Sequence, residues 1–407
     1  MESGGLVAAK SVLLLAYAFP PENIVGAARP ARFFKYLPRF GYQPEVITAS
    51  TPLPAGPPPH VHYVPDAVLK KGRAGLAFQY ERLLRKLLFP GECGLTWVWP
   101  AVALAPTVAP ACSVVFSTFP PLAAHFAAYR LKQRYGMKWV ADFRDPLTGA
   151  TARSTAWLHR RLDAFLESRI VRHADLILAN TTLAGETWRE RYPAARRRIE
   201  VIWNGFDPED RVEPTPIPPR PYRVLAHVGS LYGGRTANVL LASLDRLVAR
   251  QALSPSTFRL RLVGPIEDGG AFADPACLRR LTELGCVQCS PLQIPAAEAR
   301  QIAAEADSLL LLEHTPLQAP AKIFDYLCIG RPILAFASPR SAVERMLQQS
   351  GVPFRCIYPG ALASDVDRIV LDFLSLPNTP VPASAWFYDN FNAIHQTRQL
   401  AELLDRL

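Results

Sequence analysis

The chain has 407 residues, 49% hydrophobic and 20% charged, an ordinary globular mixture that excludes disorder and collagen-like repeats. Its length corresponds to two or three domains of about 100–200 residues each. The 45 Lys plus Arg against 35 Asp plus Glu give a formal charge of +10, which favours phosphate, anionic lipid or nucleic acid without choosing among them.

Apolar runs of strand length alternate with amphipathic stretches of helix length from end to end, the rhythm of parallel α/β sheets. The opening run "SVLLLAYAFPP" lacks a small-residue cleavage site and reads as a strand, not a signal peptide. Strands are expected near 11–18, 44–48, 61–64, 113–117, 138–142, 175–179 and 199–203, with helices at 29–39, 75–88, 122–135 and 154–173. The charge-free stretch from Gly94 to Ala124 is broken by Pro100, Pro106, Pro110, Pro120 and Pro121, so it reads as buried helix, strand and loop rather than a membrane span. The proline cluster "TPLPAGPPP" (51–59) reads as a surface loop, and "DPEDRVEPTPIPPRP" (207–221) as a semi-rigid linker. Beyond it strands are expected near 223–229, 258–263, 286–289, 307–312, 332–336 and 354–357, and a single closing helix over 386–407.

The seven cysteines (Cys93, Cys112, Cys277, Cys286, Cys289, Cys328 and Cys356) are odd in number and scattered, which suits a reducing cytosol. Cys286 and Cys289 form a lone CxxC with no second pair or nearby histidine, and read as structural. No GxGxxG follows the first strand and no GxxxxGK[ST] occurs, which disfavours classical dinucleotide binding and P-loop hydrolysis. Two doubly wound domains place ligands at the carboxyl ends of their strands. That architecture alone leaves dehydrogenases, binding proteins and glycosyltransferases open.

Three segments carry chemistry. In "VLAHVGSLYGGRTANVLLASL" (224–244) a strand ends at Gly229 and a helix begins near Thr236–Ala237, with Arg235 at its start. Glycine, helix N-terminus and arginine together suit a diphosphate; an ordinary βα turn is the plainer reading. In "LLLLEHTPLQAPAKIFDYLCIGRPILAF" (309–336) Lys322 and Asp325 lie three apart on one helical face. They suit a phosphate and a ribose, or else an exposed salt bridge. In "VADFRDP" Asp142 and Asp145 flank Arg144 at a strand's carboxyl end, either as an active-site cluster or as a self-satisfied ion network. Asn204 in "WNGFD" is expected to fix a left-handed turn before Gly205. Phe89, Trp97 and Trp99 suit either a membrane-facing surface or core packing under a loop.

Six pieces in order, "FPPENIVGAARPARFFKYLPRFGYQPEVIT", "STFPPLAAH", "WVADFRDP", "RIEVIWNGFD", "HVGSLYGGR" and "PAKIFDYLCIGRPIL", resemble family-4 glycosyltransferases of the GT-B fold that build bacterial surface polysaccharides. The resemblance spans roughly residues 11–336. It implies two Rossmann-like domains facing across a cleft: an acceptor domain (1–207), a linker (208–221), a nucleotide-sugar domain (222–385) and a final helix (386–407) returning to the first domain. Residue by residue, Gly229, Ser230, Gly233, Gly234 and Arg235 match the donor diphosphate loop, Lys322 a second phosphate contact and Asp325 the ribose-binding position. Leu317 stands where relatives carry a first glutamate, and Gln318 or His314 partly substitutes. Gly26, Arg29, His125 and Asp145 fall on the acceptor side, with His125 a helix-surface histidine on the plainer reading. Arg144, Asp142, Arg235 and Lys322 are the catalytic candidates.

The implied activity is a retaining, metal-independent hexosyl transfer from a nucleotide diphosphate sugar to a glycan or lipid-linked acceptor, with no cofactor. The expected location is cytoplasmic, peripheral to an anionic membrane, and no nucleic-acid partner is expected. A sugar-nucleotide epimerase and a degenerate binding subunit without turnover are the alternatives.

Overall fold

A computed structural model describes residues 10–22, 25–52, 56–66, 94–148, 157–217, 219–231, 236–266, 274–313 and 315–407, with the isolated positions 79 and 83. The expected helix at 75–88 otherwise lies outside these, as do Phe89, Cys93, Gly233, Gly234, Arg235 and His314. Two compact units form: residues 1–204 with 393–407, and residues 205–392.

Unit 1 contains strands β1 (Lys10–Leu15), β2 (Tyr42–Thr48), β3 (Val61–Tyr63), β4 (Val114–Phe119), β5 (Lys138–Phe143), β6 (Leu176–Ala179) and β7 (Ile199–Val201). All pair in parallel in the order β3-β2-β1-β4-β5-β6-β7. The described helices of this unit are α1 (Val25–Tyr36), α2 (Val98–Val108), α3 (Leu122–Tyr135), α4 (Trp157–His173) and α5 (Thr182–Arg191). β4 is buried at every residue, as a central parallel strand covered on both faces must be. The charge-free stretch resolves into α2, β4 and the start of α3, and no described helix is long and apolar enough to cross a membrane. α1 starts at Val25, one turn before the expected Arg29, with Pro30 inside it.

Unit 2 contains β8 (Arg223–Val228), α6 (Asn238–Ala249), β9 (Phe258–Val263), α7 (Pro275–Glu283), β10 (Val287–Ser290), α8 (Ala296–Ala304), β11 (Ser308–Leu312), α9 (Lys322–Ile329), β12 (Ile333–Phe336), α10 (Ala342–Ser350), β13 (Phe354–Ile357), α11 (Ala363–Ser375) and α12 (Ala385–Phe391). Its strands are again all parallel, in the order β10-β9-β8-β11-β12-β13. The proline-rich linker belongs to this unit and is held by polar contacts: Arg331 donates to the carbonyls of Thr215 and Asn378 at 2.6 and 2.7 Å, and Arg220 pairs with Asp307. Cys286 and Cys289 are free thiols raised by burial, the behaviour of packing cysteines.

The chain end differs from the expected single helix. Asn392 is extended (φ −72, ψ 127) and breaks it into α12 and α13 (Ala393–Leu404). Phe387 stacks on Phe206 at 5.4 Å and Phe391 meets Phe324 at 5.5 Å, which keeps α12 in unit 2. Leu400, Ala401 and Leu404 join the unit 1 core with Val12, Leu14 and Phe33. Neither Asn204 nor Gly205 has a positive φ, so the expected left-handed turn does not form; the Asn204 carbonyl accepts from Gln396 at 3.2 Å. A left-handed residue is required elsewhere: Gly330 (φ +73) ends α9 with the site of a Cβ pressed against the Val381 carbonyl. Gly330→Ala should cost about 1–3 kcal/mol in chemical denaturation, since both strain and the clash oppose a side chain there.

Candidate functional site

The winding of each sheet reverses beside its central strand. In unit 2 the switch lies between β8 and β11, and in unit 1 between β1 and β4. Open α/β sheets leave a crevice outside the carboxyl ends of such strands, because the loops that follow leave toward opposite faces.

At the unit 2 switch, Gly229 follows β8 with φ +127. A Cβ on Gly229 would lie 2.6 Å from Lys322 Nζ, so glycine is what lets the ammonium sit against this turn. Gly264 (φ +127), after β9, makes the companion approach: a Cβ on it would stand 2.7 Å from the Gly229 carbonyl carbon. The Gly229 N–H donates to Val263 O at 2.7 Å, and Tyr326 Oη accepts from the Val228 N–H at 3.0 Å, tying α9 to the end of β8.

Lys322 is the first residue of α9, and its Nζ lies 3.0 Å from His227 Nε2. His227 is buried, and its Nδ1 lies 3.0 Å from the Leu310 carbonyl. A carbonyl can only accept, so Nδ1 carries the hydrogen and Nε2 presents a lone pair to the ammonium. His227 is thus a positioning residue for Lys322. The sequence reading missed it, although its place one residue before the strand end was a usable signal. A cation at a helix N-terminus adds to the positive end of the helix dipole, an arrangement that an anion relieves.

Glu313, directly after β11, was also missed. Its Oε2 accepts from the Ser338 N–H at 2.5 Å, Oε1 is buried without a partner, and burial raises its pKa. Gln318 is buried, its N–H donating to Thr315 O at 3.2 Å, while Ser230, Leu317 and Asp325 are half-buried.

In unit 1, Arg29, Asp142 and Thr118 form one buried network. Arg29 donates from Nε and Nη2 to Asp142 at 2.8–3.1 Å, from Nη2 to the Ile202 carbonyl at 2.8 Å and from Nη1 to the Trp203 carbonyl at 2.6 Å. Thr118 Oγ1 donates to Asp142 Oδ2 at 2.8 Å. Arg29 and Asp142 are 4% and 0% exposed. They therefore pin α1, β4, β5 and the 202–203 segment together. Arg144 is different. Its guanidinium reaches back to the Phe119 and Pro120 carbonyls, and a Cβ on Gly26 would lie 2.7 Å from its Nη1. Burial pushes its pKa below the ordinary range, against the opposing pull of Asp145 and Asp142. Gly26, Arg144 and Asp145 thus gather at the β1/β4 switch.

His125, expected to face an acceptor or the helix surface, is wholly buried. Nδ1 lies 2.7 Å from Ser117 Oγ, and the ring packs on Phe143 and Phe119 at 4.7 and 6.0 Å. Burial, with Arg144 nearby, lowers its pKa to about 3. Of the expected aromatic surface, Trp97 is fully buried and Trp99 is exposed, while Phe89 lies outside the described residues.

A model of Glycosyltransferase Family 4 matches residues 31–210. No curated protein matches the chain. Among solved structures, sucrose-phosphate synthase from Thermosynechococcus elongatus is similar over 98% of both chains, with 14% identity and a TM-score of 0.68. HepE from Anabaena, solved with UDP-glucose, is similar over 98% of this chain and 100% of its own (17% identity, TM-score 0.60). A putative UDP-N-acetylglucosamine 2-epimerase from Listeria monocytogenes is similar over 98% and 96% (11% identity, TM-score 0.57). The fold is GT-B.

Two outcomes follow from the geometry of unit 1. Asp142→Ala strands the buried Arg29 guanidinium and should cost about 3–5 kcal/mol in urea denaturation. For His125, the folded pKa lies below the unfolded one, so stability falls as pH drops from about 6.5 toward about 3, where only the unfolded chain binds the proton. His125→Asn, which keeps an acceptor for Ser117 but does not titrate there, should be less stable at pH 7 and show a flatter melting-temperature profile between pH 6.5 and 4.

Proposed function

We propose that the chain is a retaining glycosyltransferase that moves a hexosyl group from a nucleoside diphosphate sugar to a glycan or lipid-linked acceptor in cell-surface polysaccharide synthesis. The observation that carries this reading is the Lys322 ammonium, held by His227 beside the Gly229 turn at the switch point of unit 2. The GT-B fold and the family match over residues 31–210 support it. The diphosphate lies against Gly229 and Ser230, with Gly233, Gly234 and Arg235 completing the loop, and Asp325 takes the ribose. His314 and Gln318 stand in for the glutamate that Leu317 replaces. Departure of the nucleoside diphosphate builds negative charge, and Lys322, fixed before the reaction starts, stabilises it without reorganisation. Arg144 and Asp145 serve the acceptor side. The reaction needs no metal and runs at the cytoplasmic face of an anionic membrane.

Titration calorimetry with EDTA present, against UDP, GDP, dTDP, ADP and CMP, should show micromolar binding of one diphosphate. Lys322→Ala and Arg235→Ala should each lower turnover about 10²–10³-fold and weaken donor binding. Gly229→Ala should act like Lys322→Ala, because its Cβ takes the ammonium's place. Near-normal turnover in the Lys322 variant would sink the assignment. Nucleotide binding without turnover on any acceptor would favour the binding subunit.

The likeness to the Listeria epimerase and the half-buried Glu313 favour one second reading, interconversion of the donor sugar alone. It predicts a changed sugar nucleotide, by NMR, with no acceptor present.

A further inference from the structure

A cavity of about 570 Å³ opens among α2, α3 and α4 of unit 1, in the helical layer rather than at the strand ends. Phe126, Tyr129, Trp139, Phe165 and Ile170 give it apolar walls, and Trp99, Arg130 and Arg169 also line it. His125 is part of the wall.

The hydrogen-bond direction at that histidine follows from its neighbours. Trp139 Nε1 can only donate, and does so to Ser117 Oγ at 2.8 Å. The Ser117 hydroxyl hydrogen then turns to His125 Nδ1 at 2.7 Å in preference to the Val140 carbonyl at 3.4 Å. The neutral ring therefore carries its hydrogen on Nε2, which is buried without a partner. A buried donor left unmade is costly, and the residue that carries this one is part of the cavity wall.

The surface around the cavity says what kind of ligand. The two carboxylates of α4, Asp163 and Glu167, are buried, and Glu167 accepts from Thr148, Arg191 and Tyr192. Arg160, Arg161, Arg169 and Arg172 of the same helix are exposed, as are Arg130 and Arg134 of α3. Acid faces in and base faces out. Trp99, Trp157 and Phe165 stand 61%, 65% and 58% exposed among them. Arg130 lies over the Trp99 ring at 5.1 Å and Arg161 over the Trp157 ring at 5.8 Å. Aromatic rings interleaved with arginines match a bilayer interface, where an apolar body and a charged tip are both satisfied.

We propose that this face docks on an anionic membrane and that the cavity takes one hydrocarbon chain of an anionic lipid. The headgroup phosphate meets Arg130 and Arg169, and an ester oxygen accepts from His125 Nε2. A single buried chain gives only reversible membrane binding, and a basic patch is the second signal that makes it stable. The inference deepens the reading above, on which it rests, that the reaction takes place at a membrane.

Vesicle flotation of the full chain tests it, with phosphatidylcholine vesicles compared with vesicles that also contain phosphatidylglycerol. The wild type should float with the anionic vesicles at least about tenfold more than with the neutral ones, and Arg130→Glu/Arg169→Glu should lose that difference. Lipids brominated in the acyl chain should quench tryptophan fluorescence, and Trp99→Phe should remove much of the quenching. Binding that ignores lipid charge, or that survives the double reversal, overturns the proposal, since another surface then holds the membrane. Binding without acyl-chain quenching overturns the cavity assignment. Diphosphate binding by the same double variant, measured by calorimetry, should equal that of the wild type. If the wild type floats but binds no nucleotide, the donor reading fails alone.

Discussion

In a parallel sheet wound outward in both directions from one strand, the loops after the two central strands must leave toward opposite faces. The backbone at their ends cannot be covered by the crossover helices, and an open, polar crevice results. Both units of this chain obey that constraint, at β1/β4 and at β8/β11. The candidate chemistry follows from it, because Gly26 with Arg144 and Gly229 with Lys322 are each a glycine giving way to a cation at that point.

The two switch points use their charge differently. In unit 1, Arg29 and Asp142 spend their hydrogen-bonding capacity on each other and on backbone carbonyls, so the pair positions elements and leaves Arg144 as the cation at the strand ends. In unit 2, the Lys322 ammonium lies against the Nε2 lone pair of His227. A lone pair orients the ammonium without cancelling its charge, which suits a group whose partner is an incoming anion. Helix α4 of unit 1 follows a third pattern, with Asp163 and Glu167 turned in and Arg160, Arg161, Arg169 and Arg172 turned out.

The strands were legible because their signal is local. Runs such as "VLLL" (12–15) and "LLLL" (309–312) are apolar at every position, as strand segments buried on both faces must be, and each expected strand forms within a few residues of its place. The glycine at the end of β8 and the lysine that opens α9 were legible for a similar reason, since turn and helix-start chemistry lies in adjacent residues. Partners were not. Arg29 reaches Asp142 across 113 positions and Lys322 reaches His227 across 95, and nothing in the local pattern of either residue names the other.

The same limit explains the remaining differences. The helical periodicity of the last 22 residues continues through Asn392, yet Phe206, Phe324 and Phe387 hold the α12 side in unit 2 while Leu400 and Leu404 pack into unit 1, and the helix breaks between them. His125 has the spacing of an exposed histidine one turn into a helix, but Phe119, Phe143 and Trp139 close around it. The sequence by itself determined the alternation of elements, the parallel sheets and the glycine-bearing turns, because these depend on neighbours a few residues apart. Only the tertiary structure decided which charged groups are pinned and which are poised, because burial and hydrogen-bond partnership arise from contacts between distant segments.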